Sequence, residues 1–321
     1  MKKIAVVYGG FSSEVEISIK SGKTVAAWLR NAGYQVYEIL LTKEQWCVVE
    51  GEKKYPVDKN DFSCTIGSEK IKFDKVFIII HGDPGENGLL QAYFEMLDIP
   101  FIGSSSLVTS IAFDKYACKS YLKGKGVHLA KDLYIRKGEP ITTEEILKDL
   151  KLPVFVKPTN GGSSFGVSKV KKEEELAAAL EVAFKEGDGV LIEEGIVGRE
   201  IDCGVYKDNK GTHALPLIEI VSKNEFFDYE AKYLGASDEI CPAPIDEQTT
   251  LRVQQEAIKI FDILGCTGLM RYDFIVTEEG IPYFLEANPN PGMTAASLLP
   301  QMVAEAGIRM EDFLSALIED K

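Results

Sequence analysis

The chain has 321 residues, enough for two or three domains with substantial cores. Its 50 acidic and 36 basic residues leave a net charge of −14, which argues against a general nucleic-acid or acidic-membrane binder. Six scattered cysteines without C-x-x-C spacing and only three histidines speak against a zinc cluster and for reduced cytosolic thiols.

In chain order, "KIAVVYGG" reads as a short buried strand. Its apolar run ends at Gly9-Gly10, too short for a signal-peptide core, and no later stretch reaches membrane-spanning length. The expected compartment is the cytoplasm. "SSEVEISIKSGKTVAAWLRNAG" reads as a helix, "QVYEILL" and "DKVFIIIHG" as strands, and "GLLQAYFEMLDI" as a helix. Apolar strands alternating with helices predict a parallel sheet covered on both faces. Ligands of such sheets bind beyond the carboxyl ends of strands, where "GGFSSE" and "HGDPGENG" sit. Ser13-Glu14-Val15-Glu16 fits the S-x-x-E capping box. Capping accounts for Glu16; Glu14 is open to a second reading, as the holder of a substrate ammonium. His81 opens a glycine-rich loop, where a histidine bonded to backbone is the commoner case. The G-x-G-x-x-G dinucleotide fingerprint is missing from this segment.

From about Ser104 to Glu193 the pattern changes. A helix around "LVTSIAFDKYACKSYLKGKG" precedes the strand "LPVFVKPT", a glycine-rich turn, the strand "GVSKV", the helix "EEELAAALEVAFK" and the strand "GVLIEE". Within "VFVKPTNGGSSFGVSKV" a strand delivers Lys157, and Gly161-Gly162-Ser163-Ser164 offers N–H and hydroxyl donors able to wrap phosphate. The lysine precedes the glycines, so this is not a G-x-x-x-x-G-K-[ST] loop. A hairpin turn that uses glycine for positive φ accounts for the segment equally well.

The last third holds strand-like segments and "NEFFDYEAKYLGASDE", read as a lid or as an ordinary surface loop. The helix "EQTTLRVQQEAIKIFDILG", the hairpin "MRYDFIVTEEGIPYFLEAN" and one closing helix follow. Strict alternation would place Phe284, Glu286 and Asn288 on one strand face, and Tyr283, Leu285 and Ala287 on the other. With a turn at Gly280 and Val276 facing Tyr283, Asp273 lies opposite Glu286 and Arg271 opposite Asn288. Facing carboxylates repel. A cation between them relieves this, and carboxylate with amide oxygens suits Mg²⁺. The alternative is a solvated polar face.

Taken in order, "GGFSSEVEIS", "HGDPGENG", "FDK", "KPTNGGSSFGV", "LIEEGIVGREI", "DYEAKY", "RYDF" and "FLEANPNPGMT" resemble the D-alanine–D-alanine ligase family of the ATP-grasp superfamily across nearly the whole chain. The resemblance implies an α/β and α+β protein with the ATP-grasp fold. Its parts would be an N-terminal Rossmann-like parallel-sheet domain (1–103), a central ATP-grasp subdomain (104–192) and a C-terminal one (193–321) carrying the lid and metal site. ATP would lie between the last two.

The resemblance also implies roles. Lys115 and Lys157 would hold ATP phosphates beneath the loop containing Gly162, Ser163 and Ser164. Glu193 and the Ile196 backbone would meet adenine, and Glu200 the ribose. Asp273, Glu286 and Asn288 would bind two Mg²⁺, with Mn²⁺ as an alternative. Glu14 would bind the first D-alanine's ammonium, with His81 nearby. Arg271 and the Gly292 N–H would hold the oxyanion, and Ser297 and the Leu298 N–H the second carboxylate. Lys232 and Tyr233 would come from the lid, with Tyr233 linked to Ser163 and Glu14. The implied reaction passes through an acyl phosphate to D-alanyl-D-alanine, a peptidoglycan precursor. Tyr233, where D-lactate-using members carry phenylalanine, favours an amine nucleophile. A homodimer is implied, and the net charge and lack of a spanning stretch predict no nucleic-acid or membrane partner. Pro289, Asn290 and Phe165 depart from the usual family residues.

Overall fold

The computed structural model describes residues 1–162, 164–222 and 237–320. Among them the strands form three sheets. The first sheet starts from β1 (Lys3–Gly9), whose residues from Ile4 onward are all buried. Helix α1 (Val15–Asn31) buries Ser18, Ser21, Gly22, Val25, Ala26 and Leu29, the stripe expected when one helical face packs on a sheet. Gly22 is required at this contact, because a Cβ there would lie 2.3 Å from Tyr8 Cδ1 on β1. Strands β2 (Gln35–Leu41), β7 (Lys75–Ile78) and β8 (Phe101–Ile102) extend the parallel part, with α2 (Leu89–Met96) between the last two.

The sheet is larger than the parallel pattern predicts. An antiparallel meander, β3 (Trp46–Glu50), β4 (Lys53–Asp58), β5 (Ser63–Ile66) and β6 (Glu69–Ile71), continues it from β2. The predicted capping box does not form. The N-cap of α1 is Glu14 without a side-chain cap bond, and Ser12 Oγ instead accepts from the Glu14 N–H at 3.2 Å.

The single helix predicted around Leu107–Gly126 is two. Helix α3 (Ser106–Phe113) stops at Asp114, whose extended backbone starts α4 (Lys115–Leu122) and whose carboxylate accepts from the Ala117 N–H at 2.7 Å. The break frees the Lys115 N–H to donate to Thr159 O at 2.8 Å. Strand β9 (His128–Leu129) follows. The second sheet is antiparallel, in the order β10 (Asp132–Arg136), β13 (Gly189–Glu194), β11 (Val154–Pro158) and β12 (Ser168–Val170). Helices α5 (Thr143–Asp149) and α6 (Leu176–Glu186) close its core.

The third sheet is centred on β14 (Arg199–Asp208) and β18 (Leu269–Val276). Strands β15 (Gly211–Ala214), β16 (Ile218–Ser222), β17 (Ser237–Ile240) and β19 (Pro282–Asn288) join it, as does β9. Helix α7 (Glu247–Leu264) packs Val253, Ala257, Ile260 and Phe261 into its core. Two closing helices, α8 (Leu298–Glu305) and α9 (Met310–Glu319), replace the single one expected. Their apolar residues share one core with β1 and α1.

Candidate active site

The hairpin β18–β19 sets the geometry of one wall. Arg271 pairs with Asn288 and Asp273 with Glu286, as the sequence predicts. The register then shifts between Asp273 and Phe274, so Val276 pairs with Pro282 rather than Tyr283. This irregularity breaks the strict alternation. Phe284 turns inward with Ala287 in the core, while Glu286 stays half-buried and lines a cleft. A bulge of this kind re-aims a side chain beside an active site.

Charges on this wall are already paired. Arg271 grips Asp273 with both donors, Nε to Oδ1 and Nη2 to Oδ2, each at 2.8 Å. Its Nε also lies 3.2 Å from Asp202 Oδ2 on β14. Burial alone would weaken the guanidinium, but the Asp273 carboxylate holds its pKa above the ordinary value. The Asn288 amide donates to Asp273 Oδ2 at 3.0 Å. Lys115 Nζ reaches Glu286 Oε2 at 3.1 Å and donates to Gly161 O at 3.0 Å. Burial opposes its charge too, and Glu286 outweighs that. Among the described residues no three His, Cys, Asp or Glu side chains converge as a metal cluster. The candidate oxygens remain Asp273, Glu286 and the Asn288 amide, a hard donor set that fits Mg²⁺.

The cleft lies between the second and third sheets. Lys157, Glu193, Ile196, Glu200 and Glu286 line it, with the apolar Ile275 and Leu285 among its walls. Ser164 and Gly162 lie on its rim. Their segment is the connection of the β11–β12 hairpin, with positive φ at Gly161, Ser164 and Gly166, so the hairpin reading holds and the loop still overhangs the cleft. Glu193 is clamped by two buried lysines, Lys119 on Oε1 and Lys157 on Oε2. Its burial would raise the carboxyl pKa, and the lysines overturn that and lower it. Lys119 is absent from the residues that sequence reasoning singled out. Its signal was the i, i+4 spacing to Lys115, which puts both ammonium groups on one side of α4.

A second hollow shares Gly161, Gly162 and Phe165 with the first. Ser12, Glu14, Gly82 and Asn87 are on its far side. Gly162 lies close to Glu14, since a Cβ there would stand 3.0 Å from Glu14 Oε2 and crowd that carboxylate. Beneath lies His81, only 7% exposed. Its Nδ1 donates to Asn290 O at 3.0 Å, and its Nε2 lies 3.3 Å from Ser21 Oγ, which accepts from the Met293 N–H at 3.4 Å. Burial pushes its pKa down and so favours the neutral ring. Glu86, also missed from sequence, is buried with Oε2 accepting from the Gly82 N–H at 2.7 Å. Burial and the nearby Glu14 push its pKa up to about 8.

Asn290 donates to Gly85 O at 2.8 Å and Ile80 O at 3.2 Å, tying the segment after β19 to the first sheet. Beyond it, Gly292 packs against Ser297, where a Cβ would come 2.9 Å from Oγ. Ser297 Oγ accepts from the Thr294 N–H at 3.1 Å, and Leu298 opens α8. Ser163, Lys232 and Tyr233 lie outside the described residues.

A cleft between the second and third sheets, beside a mixed first sheet with a parallel part, is the arrangement of the ATP-grasp class. The D-ala D-ala ligase N-terminus model matches residues 3–104 and the D-ala D-ala ligase C-terminus model residues 125–319. A D-alanine–D-alanine ligase of Phocaeicola vulgatus is 46% identical, with 100% of this chain and 99% of that one covered. Among solved structures, the VanG D-Ala:D-Ser ligase of Enterococcus faecalis superposes with a TM-score of 0.90 at 32% identity, covering 99% of this chain and 98% of that one. The D-alanine–D-alanine ligase of Bacillus anthracis complexed with ATP gives 0.80 at 31%, covering 100% and 97%. The chain belongs to the D-alanine–D-alanine ligase family.

Proposed function

We propose that the protein joins two D-alanines to D-alanyl-D-alanine with ATP, releasing ADP and phosphate, as a step toward peptidoglycan. Family membership along the full chain carries this reading. ATP would occupy the cleft between the second and third sheets, its base toward Glu193 and Ile196, its ribose at Glu200 and its phosphates at Lys115 and Lys157. Asp273, Glu286 and Asn288 would hold Mg²⁺, which neutralises charge on a transferring phosphoryl group when bound.

The first D-alanine would set its ammonium against Glu14, above His81. Its carboxylate attacks the γ-phosphorus, giving an acyl phosphate and ADP. The amine of the second D-alanine, its carboxylate held by Ser297 and the Leu298 N–H, attacks the acyl carbon. Phosphate leaves from the tetrahedral intermediate. Arg271 and the Gly292 N–H would stabilise its oxyanion, a role often worth about 3–4 kcal/mol per donor. The two hollows border the same loop at Gly161 and Gly162, which supports nucleotide and amino acid lying side by side. Ser163, Lys232 and Tyr233 would complete the site.

The protein would act as a cytoplasmic homodimer. No described helix is long and apolar enough to cross a membrane. Helix α2 exposes Leu89 and Met96, and α3 exposes Leu107, apolar side chains that a second copy would cover. The deciding experiment is phosphate release from ATP and Mg²⁺ with D-alanine, L-alanine, or D-alanine paired with D-serine or D-lactate, with product masses identified. D-alanine-dependent turnover to the dipeptide is expected. Its absence, or a mixed product as the main one, overturns the reading.

A further inference from the structure

Two lysines on one buried carboxylate are more than burial requires. The Glu193 side chain is 5% exposed, Lys157 6% and Lys119 2%. A single ion pair would already neutralise Glu193. The two cations differ in what else they face. Lys157 lines the cleft together with Glu193, whereas Lys119 stands behind them, outside the lining. Lys119 is held from that side by Ala130 O at 2.9 Å and by Asp132 Oδ2 at 3.7 Å. Asp132 is directly opposite Glu193 across the β10–β13 ladder, so Lys119 is fixed to the strand pair that positions Glu193.

We infer that Lys119 is a positioning residue for base recognition: it keeps Glu193 ionised and in place when Lys157 turns from that carboxylate to the nucleotide phosphates. This rests on the ATP-site reading above. An ionised carboxylate only accepts hydrogen bonds, so it welcomes the 6-amino group of adenine and repels the 6-oxo group of guanine. Without Lys119, the departure of Lys157 strands a buried negative charge. Glu193 then takes up a proton or shifts. A protonated carboxyl donates as well as accepts, so discrimination between the two bases collapses. Before nucleotide binds, Lys157 and Lys119 share Glu193; afterwards Lys119 alone retains it. Lys115, on the same helix, serves the Glu286 end of the cleft, so α4 supplies one cation to each end.

The test compares wild type, Lys119→Met and Lys119→Arg in steady-state turnover with ATP and with GTP, at saturating Mg²⁺ and D-alanine. For Lys119→Met, KM for ATP should rise roughly tenfold to a hundredfold, the size expected for a lost charge-assisted bond, with kcat changed less than about twofold. The preference for ATP over GTP should fall by a similar factor. Lys119→Arg should restore most of that preference. A tie to Ala130 alone would lower thermal stability and leave base preference untouched, which overturns the inference, as does a loss confined to kcat. If Lys119→Met does not fold, the Lys119→Met/Glu193→Gln pair, which leaves no unpaired carboxylate at this position, takes its place. Its base preference should match Glu193→Gln alone, and a further loss overturns the inference. Absence of ATP-dependent turnover in wild type instead removes the ligase reading itself.

Discussion

The two walls of the candidate active site bury carboxylates in opposite ways. On the sheet wall, Asp202 and Asp273 are 1% and 3% exposed, with the Arg271 guanidinium between them. On the loop wall, Glu86 is 8% exposed, its bonded partner is a backbone N–H, and its pKa is pushed up to about 8. The same burial pushes the pKa of His81 beside it down. What sets the sheet wall apart is a cation at hydrogen-bond distance from its carboxylates. A strand ladder can place that cation, because Arg271 and Asp273 sit two residues apart on one face of β18 and Asp202 pairs directly with Asp273 across the ladder. The loops after β1 and β7 supply backbone donors and a hydroxyl.

The comparison breaks most visibly at Arg271. Replacing it with methionine leaves two buried carboxylates without their shared cation, which typically costs about 3–5 kcal/mol. Denaturant unfolding of Arg271→Met should show that loss, and turnover should fall by roughly a hundredfold or more where folded protein remains. Arg271→Lys should recover part of the stability and little of the activity, because an ammonium cannot grip Asp273 at both oxygens. An unfolding midpoint unchanged by Arg271→Met would mean that the sheet wall does not depend on its cation.

The loop wall responds to pH instead. A Glu86 carboxyl raised from 4.5 to about 8 binds a proton in the fold that the unfolded chain has released. Its contribution is therefore complete below pH 4.5 and declines as pH rises toward about 8. Glu86→Gln keeps the neutral shape without the titration. Its stability should match wild type near pH 4.5 and exceed it by up to a few kcal/mol at pH 8, read from melting curves across that range. His81 runs the other way. Its neutral form is favoured in the fold, so its contribution is present above its ordinary pKa of 6.5 and declines as pH falls. A pH-independent gap between Glu86→Gln and wild type would show that the Glu86 carboxyl is not raised by its burial.

The sequence revealed the sheet wall better than the loop wall. A hairpin turn and period-two alternation are local, and they were enough to set Arg271 against Asn288 and Asp273 against Glu286. The shift after Asp273 was not legible, because packing of Phe284 against the core behind β18 decides it. Apolar runs identified β1 and β7, while the meander β3–β6 escaped because its strands are short and its exposed positions interrupt the apolar signal. The break at Asp114 depends on Thr159, which receives the Lys115 N–H from 44 residues away in sequence. Lys119 and Glu86 were not singled out in the sequence, because only the fold brings Glu193 to one and buries the other.

The smallest effect tests the entrance to α1, where local sequence reasoning chose the wrong serine. A capping box would make Ser13 and Glu16 the stabilising pair. The fold gives that work to Ser12, whose Oγ donates to His81 O at 2.7 Å and accepts from the Glu14 N–H at 3.2 Å. Ser12 thus joins the start of α1 to the loop after β7, so the same hydroxyl holds Glu14 and the backbone of His81. Ser12→Ala should cost about 1 kcal/mol, the usual value of a part-buried hydrogen bond, and should raise the KM for D-alanine by disturbing Glu14. Ser13 is exposed and makes no cap bond, so Ser13→Ala should stay within about 0.5 kcal/mol of wild type. Paired melting curves decide it. Equal losses at the two serines would restore the capping box and detach the helix start from His81, whereas a loss at Ser12 alone places the loop wall's rigidity in a contact between distant segments.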